Sequence, residues 1–454
     1  MDANTAVSLL VVALVFAGLL LLRVPVALSL AGASFLGISL YLGVGPALAA
    51  LGAEPYNATS ATSLIVIPLF VLMGILAVNA GLADDAFKSA QRVLKRLPGG
   101  PAVSSLVGAG VFAAVTGSSV ATVATLARVS TNAVRRAGYH IRLAAGAVGA
   151  GGTLGVLIPP SIVLILYGVI GQESVGALLI AGVVPGILSL VVYSIAAIIY
   201  GARLAKQHGR QPVVPTEVNE SNQTKSDVSH VEAPSDGSER IHWGSLLQLG
   251  ILFFAAVGTI YVGIATPTEA ASLGAIGGTL ILIGHHFRRP KHLLKTYGES
   301  LTEAAGLTAM IFLLLVGAGL FNYYLALTGV TQEITSTLSE AAIPPWAVLL
   351  LALVMLIPLG MFLDGISIIL IATPVLHPLL TDLGYDGIWI GILVVKVAEM
   401  AMITPPVGLN AFVYKGAVND VELSDVFKGL VPFLIADVVT VALLFTFPPS
   451  AGLM

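Results

Sequence analysis

Apolar stretches long enough to cross a bilayer recur from one end of this chain to the other, for example Ala6 to Leu22, Leu246 to Val262 and Leu307 to Leu327. Each matches the roughly 30 Å of hydrocarbon that a spanning helix must cover. A water-soluble core cannot hide so much of them: 57% of the 454 residues are hydrophobic and only 10% charged, against about a quarter charged in soluble domains. The sequence therefore predicts an all-α polytopic membrane protein whose solvent is lipid. The first run lacks a basic leader and a small-residue cleavage site, so it is expected to be a retained span. With no cysteine, disulfides, thiolate zinc sites and thiol nucleophiles drop out. A net charge of -3 says little about partners, and no nucleic-acid partner is expected.

One segment breaks the apolar pattern. Residues 206–240, Lys206 to Arg240, are rich in Gln, Ser, Asp, Glu and Pro and read as a polar cytoplasmic linker. It separates a first membrane repeat, 1–205, from a second, 241–454. Both show the same order: spans, an interrupted apolar segment with a Gly-rich middle, a helix broken by Pro-Pro, and a closing span. Gly117 precedes Pro159 at nearly the spacing at which Gly360 precedes Pro405. Paired interruptions in two halves are the best sequence pointer to a transporter binding site.

Basic residues near span ends are retained in the cytoplasm, and here they fall on one side only if 101–136 enters and leaves by the same face. That makes 101–136 a re-entrant hairpin turning at Thr116-Gly117-Ser118-Ser119, followed by a broken helix over 142–170. The inverted counterpart is a hairpin over 343–382 and a broken helix over 386–418. About ten crossing helices, two of them broken, plus two opposed hairpins follow, with both termini external.

Non-helical backbone at membrane depth survives only where protein buries it or it lines a watery cavity. Four such places are predicted: Thr116 to Ser119; Gly151-Gly152-Thr153-Leu154-Gly155 to Pro159-Pro160-Ser161; Pro358 to Asp364-Gly365; and Thr404-Pro405-Pro406-Val407-Gly408-Leu409-Asn410. Proline frees an upstream carbonyl and glycine lets backbones approach. Freed carbonyls beside hydroxyl and amide oxygens form a cage suited to Na+, and half-helix N-termini suit an anion. The bland alternative is that Pro and Gly merely kink and pack these helices. Asp364, Lys396 and Glu399 are the ionisable residues placed in the interior of the second half, where charge is costly and usually paired. Lys396 and Glu399, three apart on one helix face, either neutralise each other or meet substrate; Asp364 either caps a half-helix or ligates a cation. Glu54, Glu173 and Glu269 are expected at external ends in solvated or capping roles. No GxxxxGK[ST], HExxH or GxSxG pattern occurs, so an enzyme is not expected. His285 and His286 beside Arg288 and Arg289 belong to a basic cytoplasmic margin.

Six motifs in order carry a resemblance: Ile67-Pro68-Leu69-Phe70 with Met73-Gly74; Thr116-Gly117-Ser118-Ser119-Val120-Ala121-Thr122; Gly152-Thr153-Leu154-Gly155 leading to Ile158-Pro159-Pro160-Ser161; Thr266-Pro267-Thr268-Glu269-Ala270-Ala271; Gly360-Met361-Phe362-Leu363-Asp364; and Ile403-Thr404-Pro405-Pro406-Val407-Gly408-Leu409-Asn410. Over nearly its whole length the chain resembles the large membrane subunit of tripartite ATP-independent periplasmic (TRAP) transporters. That resemblance implies an elevator-type sodium symporter of the bacterial inner membrane, working with a small membrane subunit and a periplasmic substrate-binding protein on small organic anions, mostly carboxylates. Carried onto this sequence, it implies Na+ as the coupling ion at Ser118, Ser119, Gly360, Asp364, Thr404 and Pro405; the oxygen cage read from the residues adds Thr116, Gly117, Thr153, Pro159 and Gly408 as candidate Na+ contacts, and no transition metal is expected. Substrate contacts are expected at Thr122, Ser161, Lys396 and Asn410. Two departures stand out: Val129-Ser130-Thr131-Asn132 replaces the Ile-Pro-Glu-Met-like run that often follows the first hairpin, and the linker is long. Open alternatives are a stand-alone sodium/anion symporter without a binding protein and, from another class, an intramembrane enzyme or scaffold.

Overall fold

In lipid a backbone amide finds no water, so each apolar run closes its hydrogen bonds on itself as a helix. A computed structural model describes residues 3–94, 99–208, 241–340 and 343–447, and every regular element among them is helical. Before the polar segment lie α1 (Ala3–Leu21), α2 (Val26–Leu42), α3 (Val44–Thr59), α4 (Val66–Asn79), α5 (Leu82–Leu94), α6 (Gly100–Thr116), α7 (Ser119–Arg136), α8 (Ile141–Leu154), α9 (Ile162–Gly171) and α10 (Val175–His208). After it come α11 (Trp243–Phe253), continued through a π turn into α12 (Thr259–Tyr261), then α13 (Pro267–His286), α14 (Pro290–Thr328) and α15 (Val330–Glu340). The last five are α16 (Pro345–Phe362), α17 (Gly365–Asp382), α18 (Gly387–Ala401), α19 (Leu409–Ala417) and α20 (Leu423–Thr446). The predicted linker falls outside the described residues from position 209 onward; its first residues, from Lys206, complete α10.

Among the described residues seven helices, the longest of them α14, are long and apolar enough to cross a membrane, and α1, α2, α6 and α9 are shorter apolar helices. The chain is a multi-pass membrane protein. Large apolar side chains stand outward on the outer helices, among them Leu14, Ile195, Leu280 and Met355, as a lipid-facing surface requires.

The helix ends follow local chemistry. Pro101, Pro267, Pro290 and Pro345 sit in first turns, where a missing N–H costs nothing. Gly117 ends α6 with φ 65°, a left-handed conformation that costs a Cβ-bearing residue about 1 kcal/mol or more. Thr266 and Glu269 form a reciprocal capping box at the start of α13; Glu269, expected at a helix end, is thus a capping residue.

The two halves exchange neighbours. α6 lies along α8 and α16 along α18, whereas α7 packs on α19 and α17 on α9; α4 packs on α13 while α2 packs on α14. At the centre, α8 and α18 are buried along almost their whole lengths. Small residues bring main chains together there: a Cβ at Gly146 of α8 would overlap the carbonyl of Gly429 on α20, and a Cβ at Gly429 would overlap that of Arg142.

Candidate functional site

α6 with α7 and α16 with α17 are helix pairs joined by short turns, and α8–α9 and α18–α19 are helices separated by breaks, with turns tighter than the sequence suggests. The first hairpin turns on Gly117-Ser118 alone and the second on Leu363-Asp364. Pro358 and Gly360 stay inside α16, and Gly151 to Thr153 stay inside α8. The breaks are Gly155 to Ser161 and Met402 to Gly408. The glycines expected to loosen the chain instead admit a neighbour: a Cβ at Gly360 would strike Ala401, and one at Gly152 would crowd Val123 and the Ser119 carbonyl.

Around the first turn, hydroxyls gather. Ser118 caps α7 by accepting from the Ala121 amide at 3.2 Å, Thr122 Oγ1 donates to the Ser118 carbonyl at 2.8 Å, and Thr116 and Thr122 hydroxyls are 3.2 Å apart. Gly117 abuts Ile162, the first residue of α9, so this turn rests against the exit of the first break. Ser119 points the other way, into the second half, where its hydroxyl donates to Glu399 Oε2 on α18. The other oxygen of Glu399 lies against Gly365, the first residue after the second hairpin's turn. Both hairpin tips therefore meet at one carboxylate. Glu399 is 1% exposed, and among the described residues no cation pairs with it.

The remaining candidates divide. Asp364 accepts from Ser367 Oγ, so its carboxylate closes on its own helix, and Thr404 Oγ1 donates to the Met400 carbonyl at 2.8 Å. Pro159 is buried in the first break, Pro405 is half-buried in the second, and Gly408, with φ 56°, is the residue just before α19. Ser161 is fully buried and caps α9 by accepting from the Leu164 amide at 3.2 Å. Asn410 Nδ2 donates to the Gly149 carbonyl at 3.2 Å, while its Oδ1 is buried without a partner. Thr153 does not face the hairpin turn: it donates to the Ala150 carbonyl and lies 3.2 Å from Tyr193 OH.

Lys396 corrects the sequence reading. Its ion-pair partner is Asp437 on α20, not Glu399. Tyr193 OH donates to the same Asp437 oxygen at 2.6 Å, and the Lys396 ammonium sits 5.0 Å from the Tyr193 ring centre. A lysine leaning one way off α18 reaches α20 and α10, while Glu399, one turn on, reaches the hairpins.

The model of the DctM component of tripartite ATP-independent periplasmic transporters matches residues 13–450. The chain belongs to this family. It is 34% identical to the C4-dicarboxylate TRAP transporter large permease protein DctM of Pseudomonas aeruginosa over 86% of this chain and 85% of that one. It is 30% identical to the ectoine TRAP transporter large permease protein TeaC of Halomonas elongata over 96% of each. In fold it is similar to the crystal structure of the Alcanivorax borkumensis YdaH transporter, with a TM-score of 0.62, 16% identity and 90% of each chain covered. These relatives are permeases, not enzymes, in keeping with the missing catalytic motifs.

For this DctM-family chain, three residues of the buried centre escaped the sequence reading of the site: Glu399 as the meeting point of the hairpins, and Asp437 with Tyr193 around Lys396. Asp437 had a visible signal, since it stands alone in the apolar run Leu434-Ile435-Ala436-Asp437-Val438-Val439 and an intramembrane carboxylate marks a site by default. The departing run Val129 to Asn132 lies within α7, where the Thr131 hydroxyl lies 2.5 Å from Tyr414 OH on α19.

Proposed function

We propose that this large permease subunit carries sodium-coupled symport of a small organic anion, most simply a carboxylate, across the bacterial inner membrane. A periplasmic binding protein delivers the substrate and a small membrane subunit completes the transporter. The observation that carries the reading is Glu399: a buried carboxylate at the junction of both hairpin tips, beside the first hairpin's turn, with no ion-pair partner of its own among the described residues, the nearby Lys396 being paired with Asp437. An ionised buried carboxylate needs a cation, and the carboxylate of Glu399 with the Ser119 hydroxyl supplies the hard oxygens a monovalent ion takes beside loosened backbone, while Thr116, Thr122 and the Ser118 carbonyl offer a second oxygen cluster on the other side of the same turn. The breaks at Pro159 and at Thr404, Pro405 and Gly408 supply further freed carbonyls. The N-terminal ends of α7 and α9, capped by Ser118 and Ser161, and the free Oδ1 of Asn410 line the substrate path.

In this reading the halves 1–205 and 241–454 are inverted repeats. The exchanged neighbours, α7 on α19 against α17 on α9, support it. The hairpins and broken helices form the block that moves, elevator-fashion, against the other spans. The names of the relatives differ in substrate, C4-dicarboxylate in one and ectoine in another, so the cargo is given only as a class. The test is uptake by the reconstituted protein with its cognate partners. Uptake should collapse when Na+ is replaced by K+ or choline, and equal rates in all three salts would end the sodium reading. Transport by this chain alone would favour a stand-alone symporter instead.

A further inference from the structure

Several basic residues near helix ends are consumed within the protein. Arg135 pairs with Asp420 at 2.6 Å, Arg142 grips Asp425 through Nε and Nη2 at 2.8 and 2.7 Å, and Arg128 Nε donates to the Ala417 carbonyl at 2.6 Å. The turn between α13 and α14 differs. Arg288, Arg289 and Lys291 are exposed, and among the described residues no carboxylate pairs with them. Phe287 on one side is 75% exposed and Leu294 on the other 73%. Water satisfies the charges but not the apolar pair, and hydrocarbon does the reverse.

Only a surface that is anionic outside and apolar just beneath suits both. Phosphate oxygens accept two parallel bonds from a guanidinium, while the apolar side chains reach the acyl boundary as in interfacial helices. Length agrees with this placement. α14 has 39 residues, about 58 Å at 1.5 Å per residue, nearly twice the ~30 Å hydrocarbon layer. Its polar first turns, with Lys291, Lys295 and Glu299, thus belong at the headgroups and not in the core. We propose that the α13–α14 turn is a binding site for the phosphate-bearing headgroup of an anionic phospholipid, with Arg288, Arg289 and Lys291 as its ligands and Phe287 and Leu294 as its apolar anchors. This site is independent of the sodium reading.

The test uses the full chain, purified in detergent and stripped of lipid, with bound lipid counted by native mass spectrometry. Phosphatidylglycerol should bind, weakening with added salt, and phosphatidylcholine should not. A juxtamembrane charge contributes about fivefold in affinity, so the Arg288→Gln, Arg289→Gln, Lys291→Gln variant should bind roughly a hundredfold more weakly. Phe287→Ser with Leu294→Ser should weaken binding with the charges intact. Equal phosphatidylglycerol binding by wild type and the charge variant overturns the proposal and leaves the patch to another occupant, such as the acidic residues of segment 209–240. Glycerol phosphate competing as well as the lipid overturns it too, since the site would then be one for soluble anions. Should the charge variant fail to fold, the Phe287/Leu294 variant decides, and undiminished binding there refutes the site.

Discussion

The hydroxyl of Ser119, at the first turn of one hairpin's return arm, donates to the carboxylate of Glu399 on the interrupted helix of the other half. The bond ties the two halves together at a point 1% exposed on the carboxylate side. Removing the donor leaves a buried charge short of a partner, at a cost of about 1.5–3 kcal/mol. Ser119→Ala should therefore lower the thermal unfolding midpoint in detergent. In the sodium reading it should also raise the Na+ concentration needed for half-maximal uptake, whereas Ser119→Thr keeps the hydroxyl and should restore much of both. An unchanged midpoint and sodium requirement in Ser119→Ala would remove Ser119 from the site.

Lys396 and Asp437 make a different kind of prediction. Both are buried, and Tyr193 shares the carboxylate. Breaking such a pair from one side strands a charge and costs about 3–5 kcal/mol, whereas replacing both partners by apolar residues is often close to neutral. Lys396→Met alone and Asp437→Leu alone should each destabilise strongly, and the double substitution should recover most of the loss. Thermal unfolding of the three variants checks this. Additive losses in the double variant would show that the two residues act separately.

These two contacts mark the boundary of what could be read from the residues. The hairpins and breaks were legible because Gly and Pro punctuate otherwise uniform apolar runs, and α6 to α9 and α16 to α19 follow that punctuation closely. The turns were drawn too wide, because a glycine inside a membrane helix is as useful for close packing, as at Gly152 and Gly360, as for bending the chain. Partnerships were harder. Lys396 and Glu399 share a helix, and the local spacing suggested that they pair. Their actual partners, Asp437 and Ser119, lie on other helices and are set by tertiary packing that no short pattern encodes.

Outside the spans, α5 carries a pH-dependent contribution. Burial pushes the Asp84 carboxyl above its ordinary range, with Lys88 pulling it back and Asp85 adding to the rise. A carboxyl raised in the folded state favours the fold while it is protonated, so its contribution is present below the unfolded value of about 4 and is lost as pH rises through the folded value. At neutral pH the ionised Asp84 works against the fold. Asp84→Asn should raise the unfolding midpoint at pH 7 and lose that advantage as the pH falls toward 4. A constant difference across that range would assign the effect to packing and not to charge.

The crossing of α8 and α20 is a sterically constrained place in the buried centre, and it bears on stability. Gly146 faces the Gly429 carbonyl and Gly429 faces the Arg142 carbonyl, with no room at either for a methyl group. Because the obstacles are main-chain atoms, no rotamer change relieves them. Gly146→Ala or Gly429→Ala must push the helices apart, and overpacking of this kind costs about 1–3 kcal/mol, occasionally more. The displacement would also strain the Arg142–Asp425 bridge at the same end of the crossing. Each variant should show a lower unfolding midpoint, and Asp425→Asn should add little further loss on top of Gly429→Ala, since both disturb one contact. If the two losses simply add, the bridge and the crossing are separate supports, and the helices are free to shift at Gly429 without disturbing Arg142.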